Sequence, residues 1–181
     1  MSATAILRHE HDIILLVLNG VERGARALDS TLASDAEWLD TIVDLVRNFA
    51  DRCHHGKEER HLFVRLEERG VRKAGGPIGA MLREHEQGRA LVRSVAEATP
   101  AAKSGEARAR QSAAEGLLAY AELLRAHIAK ENQGLFPLAD QVLSAEDQAE
   151  LVAAFDRVEA EEMGEGTHER YHELAHKLAE Q

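Results

Sequence analysis

The chain is 181 residues long, enough for about one domain with a buried core, and its formal charge of −10 would repel the phosphates of nucleic acid. A single cysteine, Cys53, rules out an internal disulfide, the longest apolar run, Ile13 to Leu18, is too short to cross a bilayer, and no basic and then apolar leader opens the sequence. A cytoplasmic protein with neither a membrane nor a nucleic acid as partner is the expectation.

Abundant Ala, Leu, Glu and Arg favour helix, and Val and Ile form no alternating strand-like runs. The first helix is expected from about Ala5 to Ala27, with Ile6, Ile13, Ile14, Val17, Leu18 and Val21 on its apolar face. Ser30 to Ser34 reads as a turn. Ser34-Asp35-Ala36-Glu37 is a capping box opening a second helix that reaches Glu68, with Gly70 closing it. After a loop over 69–76, Pro77 suits the first position of a third helix, which should end near Ala98, before Thr99-Pro100. Lys103 to Glu106 reads as linker. A fourth helix then runs to about Phe136, where Pro137 should end or kink it. Ser144-Ala145-Glu146-Asp147 opens a fifth segment to about Met163. Gly164-Glu165-Gly166 breaks it, and Thr167 caps a last helix through Ala179.

One pattern occurs twice along these helices. Glu10-His11-Asp12 is followed by His54-x-x-x-Glu58 and Leu62-Phe63; Glu84-His85-Glu86 is followed by His127-x-x-x-Glu131 and Leu135-Phe136-Pro137. In an antiparallel hairpin, residues equally far from the turn share a height. The midpoint of His11 and His54 falls between Leu32 and Ala33, that of Glu58 and His85 between Val71 and Arg72, and that of His85 and His127 on Glu106. All three midpoints lie in or at the edge of expected connections. An up-down-up-down four-helix bundle therefore puts His11, His54, Glu58, His85, His127 and Glu131 in one layer. Residues i and i+4 share a helix face, so each His-x-x-x-Glu pair can point inward.

Two carboxylates buried together need cations. Four imidazoles and two carboxylates supply two metal ions, by symmetry two histidines to each with both glutamates bridging. Which histidines share an ion is not set by spacing. These donors suit two non-haem iron ions joined by an oxide or hydroxide, with manganese or zinc as alternatives. Open positions on such ions take small diatomic or peroxide ligands. His55-x-x-x-Glu59 has the same spacing as His54-x-x-x-Glu58, but adjacent residues on an α-helix point about 100° apart, so one pair is expected to face the core. The common Glu-to-Phe spacing aligns His54 with His127 and selects His54 and Glu58.

Other residues have a bland reading beside a functional one. His61 either reaches the site or sits lower in the bundle. His9 reads as surface. Gly88 reads as close helix packing before it reads as room for a ligand. Arg89 either neutralises carboxylates or faces water. Tyr120 reads as core before it reads as a donor to bound peroxide. Cys53 points off the metal face. His168, His172 and His176, with Tyr171, read as one helix face lying on the bundle.

The paired motifs resemble the hemerythrin-like, or HHE cation-binding, family over about residues 5 to 140. The matching stretches are Glu10-His11-Asp12, His54 to Glu59 with Leu62-Phe63, Glu84-His85-Glu86, and His127 to Glu131 with Leu135-Phe136-Pro137. The resemblance implies an all-α, up-down-up-down four-helix bundle around a di-iron centre held by His11, His54, Glu58, His85, His127 and Glu131. Oxygen-carrying members have a second histidine where this chain has Arg89, and end in His-x-x-x-x-Asp where it has His127-x-x-x-Glu131. That points away from oxygen storage. Relatives with the His/Glu set are associated with peroxide breakdown, oxygen or nitric oxide sensing, and iron handling. The expectation is thus a metal-binding bundle over 1–141, with a helical extension over 142–181, that binds or reacts with small oxidants; catalase-like or peroxidase activity is its enzymatic form. Iron storage and a metal-free interaction domain are the alternatives.

Overall fold

The computed structural model describes residues 1–29, 36, 38–163, 170, 171, 173, 174 and 177, and every regular element among them is helical. Helix α1 is Ala3–Asp29. Helix α2 spans 38–68, α3 is Pro77–Lys103, α4 spans 107–142 and α5 spans 145–163. No helix among the described residues is long and apolar enough to cross a membrane.

Side-chain pairs fix the relative directions. Along α1 and α4, Thr4 Oγ1 donates to Asp140, Arg8 reaches the Asn132 carbonyl, and Arg125 bonds Asn19 and Glu22. As α1 advances α4 retreats, so the two run antiparallel. Arg89 on Asp51 and Lys103 on Asp40 give the same relation for α2 and α3. Arg110, which donates to the Ala102 carbonyl, extends it to α3 and α4, with His85 and His127 further along.

Several ends follow their sequence signals. Pro77 opens α3. Gly70, at φ 87°, closes α2 while Val71 N–H bonds the Leu66 carbonyl. Ser144 and Asp147 form a reciprocal capping box ahead of α5. Others do not. Helix α3 does not stop before Thr99-Pro100 but continues to Lys103. Its stop is Gly105, at φ 94°, where Gly105 N–H bonds the Ala102 carbonyl and Glu106 N–H that of Ala101. This pair of bonds satisfies the last carbonyls more completely than a break at the proline would. Nor does Pro137 end α4, which runs on to Val142. Ser34, Asp35 and Glu37 of the expected capping box, the break at Gly164 to Gly166, the Thr167 cap, and His168, His172 and His176 lie outside the described residues.

Two stretches of α2 and one of α4 are wound as π-helix: Val46–His55, Glu58–Leu62 and Glu131–Leu135. The last two are counterparts. Phe63 N–H bonds the Glu58 carbonyl, and Phe136 N–H bonds that of Glu131. The repeated five-residue spacing from glutamate to phenylalanine is therefore one wide turn, used twice. Wide turns inside α-helices are often found at functional sites.

Two apolar cores flank this level. One contains Ile14, Leu18, Phe49, Leu117 and Tyr120; the other contains Leu7, Leu62, Phe63, Leu135, Phe136 and Phe155. Between them lies a layer of buried histidine, glutamate and lysine. Helix α5 packs across α2 through Lys57 on Glu159 and through Arg65 and Arg69 on Asp147.

Candidate metal centre

The structure brings together the six residues expected from the repeat and adds a seventh. His11, His54, Glu58 and Glu131 form one donor group and His55, Glu58, His85 and His127 another; within each, one donor atom per residue lies within 4.8 Å of the others. Glu58 belongs to both. Its Oε1 is 3.6 Å from His54 Nε2 and its Oε2 is 3.4 Å from His85 Nε2. Glu131 also spans the groups, since its Oε2 is 3.2 Å from both His11 Nε2 and His127 Nε2. All seven residues are at most 4% exposed.

His55 corrects the expectation that only one of two adjacent histidines faces inward. That reasoning assumed α-helical winding, whereas His54 and His55 end a π-wound stretch. The His55 ring stacks on His85 at 3.8 Å. A sequence signal for it existed: aligning the two copies sets His55 against Ile128, a buried apolar position.

Each of the five imidazoles is held from outside by Nδ1. His11 Nδ1 meets Asn132 Oδ1 at 2.9 Å, His54 meets Glu10 at 2.8 Å, His85 meets Glu59 at 2.6 Å, His127 meets Glu84 at 3.0 Å and His55 meets Asp51 at 3.4 Å. Carboxylates and an amide oxygen can only accept, so each Nδ1 donates and each Nε2 points inward, where it offers a lone pair once it carries no proton. The repeat now makes physical sense. The glutamate before each lone histidine (Glu10, Glu84) holds the histidine of the His-x-x-x-Glu pair in its own copy of the repeat, on the next helix. The residue after each inward glutamate (Glu59, Asn132) holds a lone histidine. Lys57 and Lys130 in turn bond Glu10 and Glu84. Phe136 stacks on His11 at 5.2 Å and Phe63 on His85 at 5.9 Å.

What the outer partners fix, the interior leaves unpaired. His11, His54 and His55 Nε2 and all four carboxylate oxygens of Glu58 and Glu131 are buried without a hydrogen-bond partner among the described residues. His85 and His127 Nε2 face each other at 3.1 Å, although both rings already donate through Nδ1. Buried polar atoms are rarely left like this. Convergent lone pairs and carboxylates fit cations, and a ring of imidazoles tied outward to acids is the usual surround of a metal. The protein's own charges act on these groups in different directions. Burial opposes charging Glu10, but His54 and Lys57 outweigh it and hold its carboxyl at about 2. Burial also disfavours a charged His85, yet Glu58 and Glu59 raise it to about 9. His55 is pushed well below the usual range, first by burial and then by neighbouring His85.

The family model of the hemerythrin HHE cation-binding domain matches residues 2–139. The chain belongs to the hemerythrin HHE cation-binding family. Three relatives described as uncharacterised proteins, one from Mycobacterium bovis and two from Mycobacterium tuberculosis, are each 28% identical to it over 165 residues. The match takes in 91% of this chain and spans 64% of the length of those relatives. No solved structure matches the chain.

Residues outside the HHE centre resolve as follows. Arg89 neutralises carboxylates, bonding Asp51, Glu59 and Glu86. Tyr120 is core, 2% exposed, and lines a cavity beside Gly88. His61 belongs to neither donor group, and its ring lies 6.4 Å from that of Phe155 on α5. His9 is exposed. Cys53 is fully buried beside Lys57, and burial pushes its thiol up to about 12. Tyr171 is buried and donates to Asp44.

Proposed function

We propose that the protein holds two metal ions, iron in the first instance, and uses them to bind or react with small oxidants: dioxygen, peroxide or nitric oxide. The observation that carries this is the set of unpaired interior donors with every imidazole tied outward. In this reading α1 to α4 are the up-down-up-down four-helix bundle of the family, residues 1–141 are the metal-holding unit, and 142–181 are an extension whose helix α5 packs on α2.

The arrangement supports an unequal pair rather than two histidines per ion. His11 and His54, with Glu58 and Glu131, would hold one ion. His55, His85 and His127, with Glu58, would hold the other, and Glu131 reaches toward it. Mixed imidazole and carboxylate donors suit iron. When bound, iron supplies a redox couple and open positions for a small ligand. The protein's part is to aim the imidazoles, through Glu10, Asp51, Glu59, Glu84 and Asn132. It also excludes water with the two flanking apolar cores, and offsets acid charge with Lys57 and Arg89.

Metal quantitation on freshly purified protein, joined to an optical spectrum under air and under peroxide, tests this. Two ions per chain and a charge-transfer band that shifts with peroxide are expected; oxygen evolution marks turnover rather than binding alone. More than two irons after aerobic loading would mean storage. A protein that takes up no metal, and whose stability His54→Ala leaves unchanged, would be a helical interaction domain instead.

A further inference from the structure

A cavity of about 310 Å³ is lined by residues of α2 and α3 and by Tyr120 of α4. That is the small end of the range that holds small molecules, about 300–1,000 Å³. His55 and His85 border it, but both are already engaged. Their Nδ1 atoms meet Asp51 and Glu59, and both residues belong to the three-histidine donor group.

Three other groups on the wall are not engaged. Tyr120 is 2% exposed, and its hydroxyl makes no hydrogen bond among the described residues. Buried hydroxyls are rarely left without a partner, and the cavity is the space from which one can reach it. Arg47 and Arg93 are exposed, line the same cavity and make no ion pair among the described residues. The acid on the wall is not free in the same way, since Asp51 accepts from Arg89 and meets His55. What the cavity has left to offer is therefore hydrogen-bond donors and positive charge. Its remaining wall is mostly apolar. Val46 and Val92 contribute to it, and at Gly88 a first side-chain carbon would stand 3.5 Å from the Tyr120 ring, so the missing side chain leaves that ring open to contact.

Such a wall selects its ligand. Free donors ask for an anionic acceptor, the apolar surface asks for a hydrocarbon body, and the volume limits that body to about one ring. An inorganic anion leaves the apolar wall unmatched, and a neutral hydrocarbon leaves the donors unpaired.

We infer that this cavity binds a small aromatic carboxylate, with the carboxylate bonded by the Tyr120 hydroxyl in the field of Arg47 and Arg93 and the ring against Val46, Val92 and Gly88. Tyr120, Arg47 and Arg93 lie outside both donor groups, so the site stands apart from the two-ion reading above.

Benzoate is the probe, with inorganic phosphate and benzyl alcohol as comparisons that keep only the charge or only the ring. Binding is measured by titration calorimetry at low salt on the purified protein, with metal content determined for every sample. One benzoate per chain is expected, and phosphate and benzyl alcohol should each bind at least about tenfold more weakly. Tyr120→Phe should weaken benzoate by about tenfold, the loss of a hydrogen bond to a charged group, without lowering Tm, because the hydroxyl removed has no partner in the free protein. Arg47→Ala/Arg93→Ala should also weaken it by about tenfold. That second difference should close toward 1 M salt, where the screening length is about 3 Å. No benzoate binding at millimolar concentration, or an affinity unchanged in either variant, overturns the site. Phosphate or benzyl alcohol binding as tightly as benzoate overturns the aromatic carboxylate as its ligand. The metal content of the same samples decides the two-ion reading separately.

Discussion

The two lysines of the repeat differ in burial, and that difference sets a testable magnitude. Lys57 is 0% exposed, bonds Glu10 and Glu159, and lies 5.8 Å from the centre of the Phe155 ring. Lys130 makes the equivalent bond to Glu84 but is 53% exposed. Helix α5 covers the first through Glu159 and Phe155. Replacing Lys57 with Met leaves Glu10, itself 1% exposed, with His54 as its remaining partner. Removing one member of a buried ion pair costs about 3–5 kcal/mol, and the surviving His54 bond argues for the lower end, about 3 kcal/mol. For a chain of this size that is about 6–12 °C in Tm. Lys130→Met, by the same reasoning, costs about 0.2–1 kcal/mol. The assay is urea and thermal unfolding of chelator-treated protein, so that metal does not mask the comparison. Lys57→Met/Glu10→Gln should recover part of the loss, because the stranded carboxylate is then neutral. Equal costs for Lys57→Met and Lys130→Met, or no recovery in the double variant, would refute the argument from burial.

His55→Ala should leave one ion firmly held and the other easily stripped, so iron content falls toward one per chain under a chelator that does not deplete the parent; retention of both shows that His55 is a spectator. Glu131→Ala should lose both ions and alter stability, because this carboxylate faces histidines of both groups, and two irons retained contradicts a bridging role. In the metal-free protein His85, raised from 6.5 to about 9, binds its proton more tightly folded than unfolded. Its contribution is complete below pH 6.5 and is lost as pH rises through about 9. Zinc-loaded protein should show the opposite slope over that interval, because the ion must displace the proton; parallel pH profiles of urea midpoint would exclude the linkage. Lys57→Met should also weaken zinc affinity by about 10–100-fold through Glu10 and His54, measured by chelator competition.

The centre was legible in the sequence to the extent that it depends on period and distance. Helical periodicity and the turn midpoints placed His11, His54, Glu58, His85, His127 and Glu131 at one height, and Gly70, Pro77 and Ser144 marked helix ends through local backbone chemistry alone. Tertiary structure decided the rest. The π-winding that brings His55 inward beside His54 defeats an argument based on 100° per residue. Which histidines share a donor group, and which acid holds which imidazole, are contacts between helices that spacing along one chain does not encode. Pro100 sits inside a helix because Gly105 offers the better stop, and Lys57 differs from Lys130 because α5 folds back over one and not over the other. Local signals act over a few residues, while burial and pairing are set by what the rest of the chain places opposite.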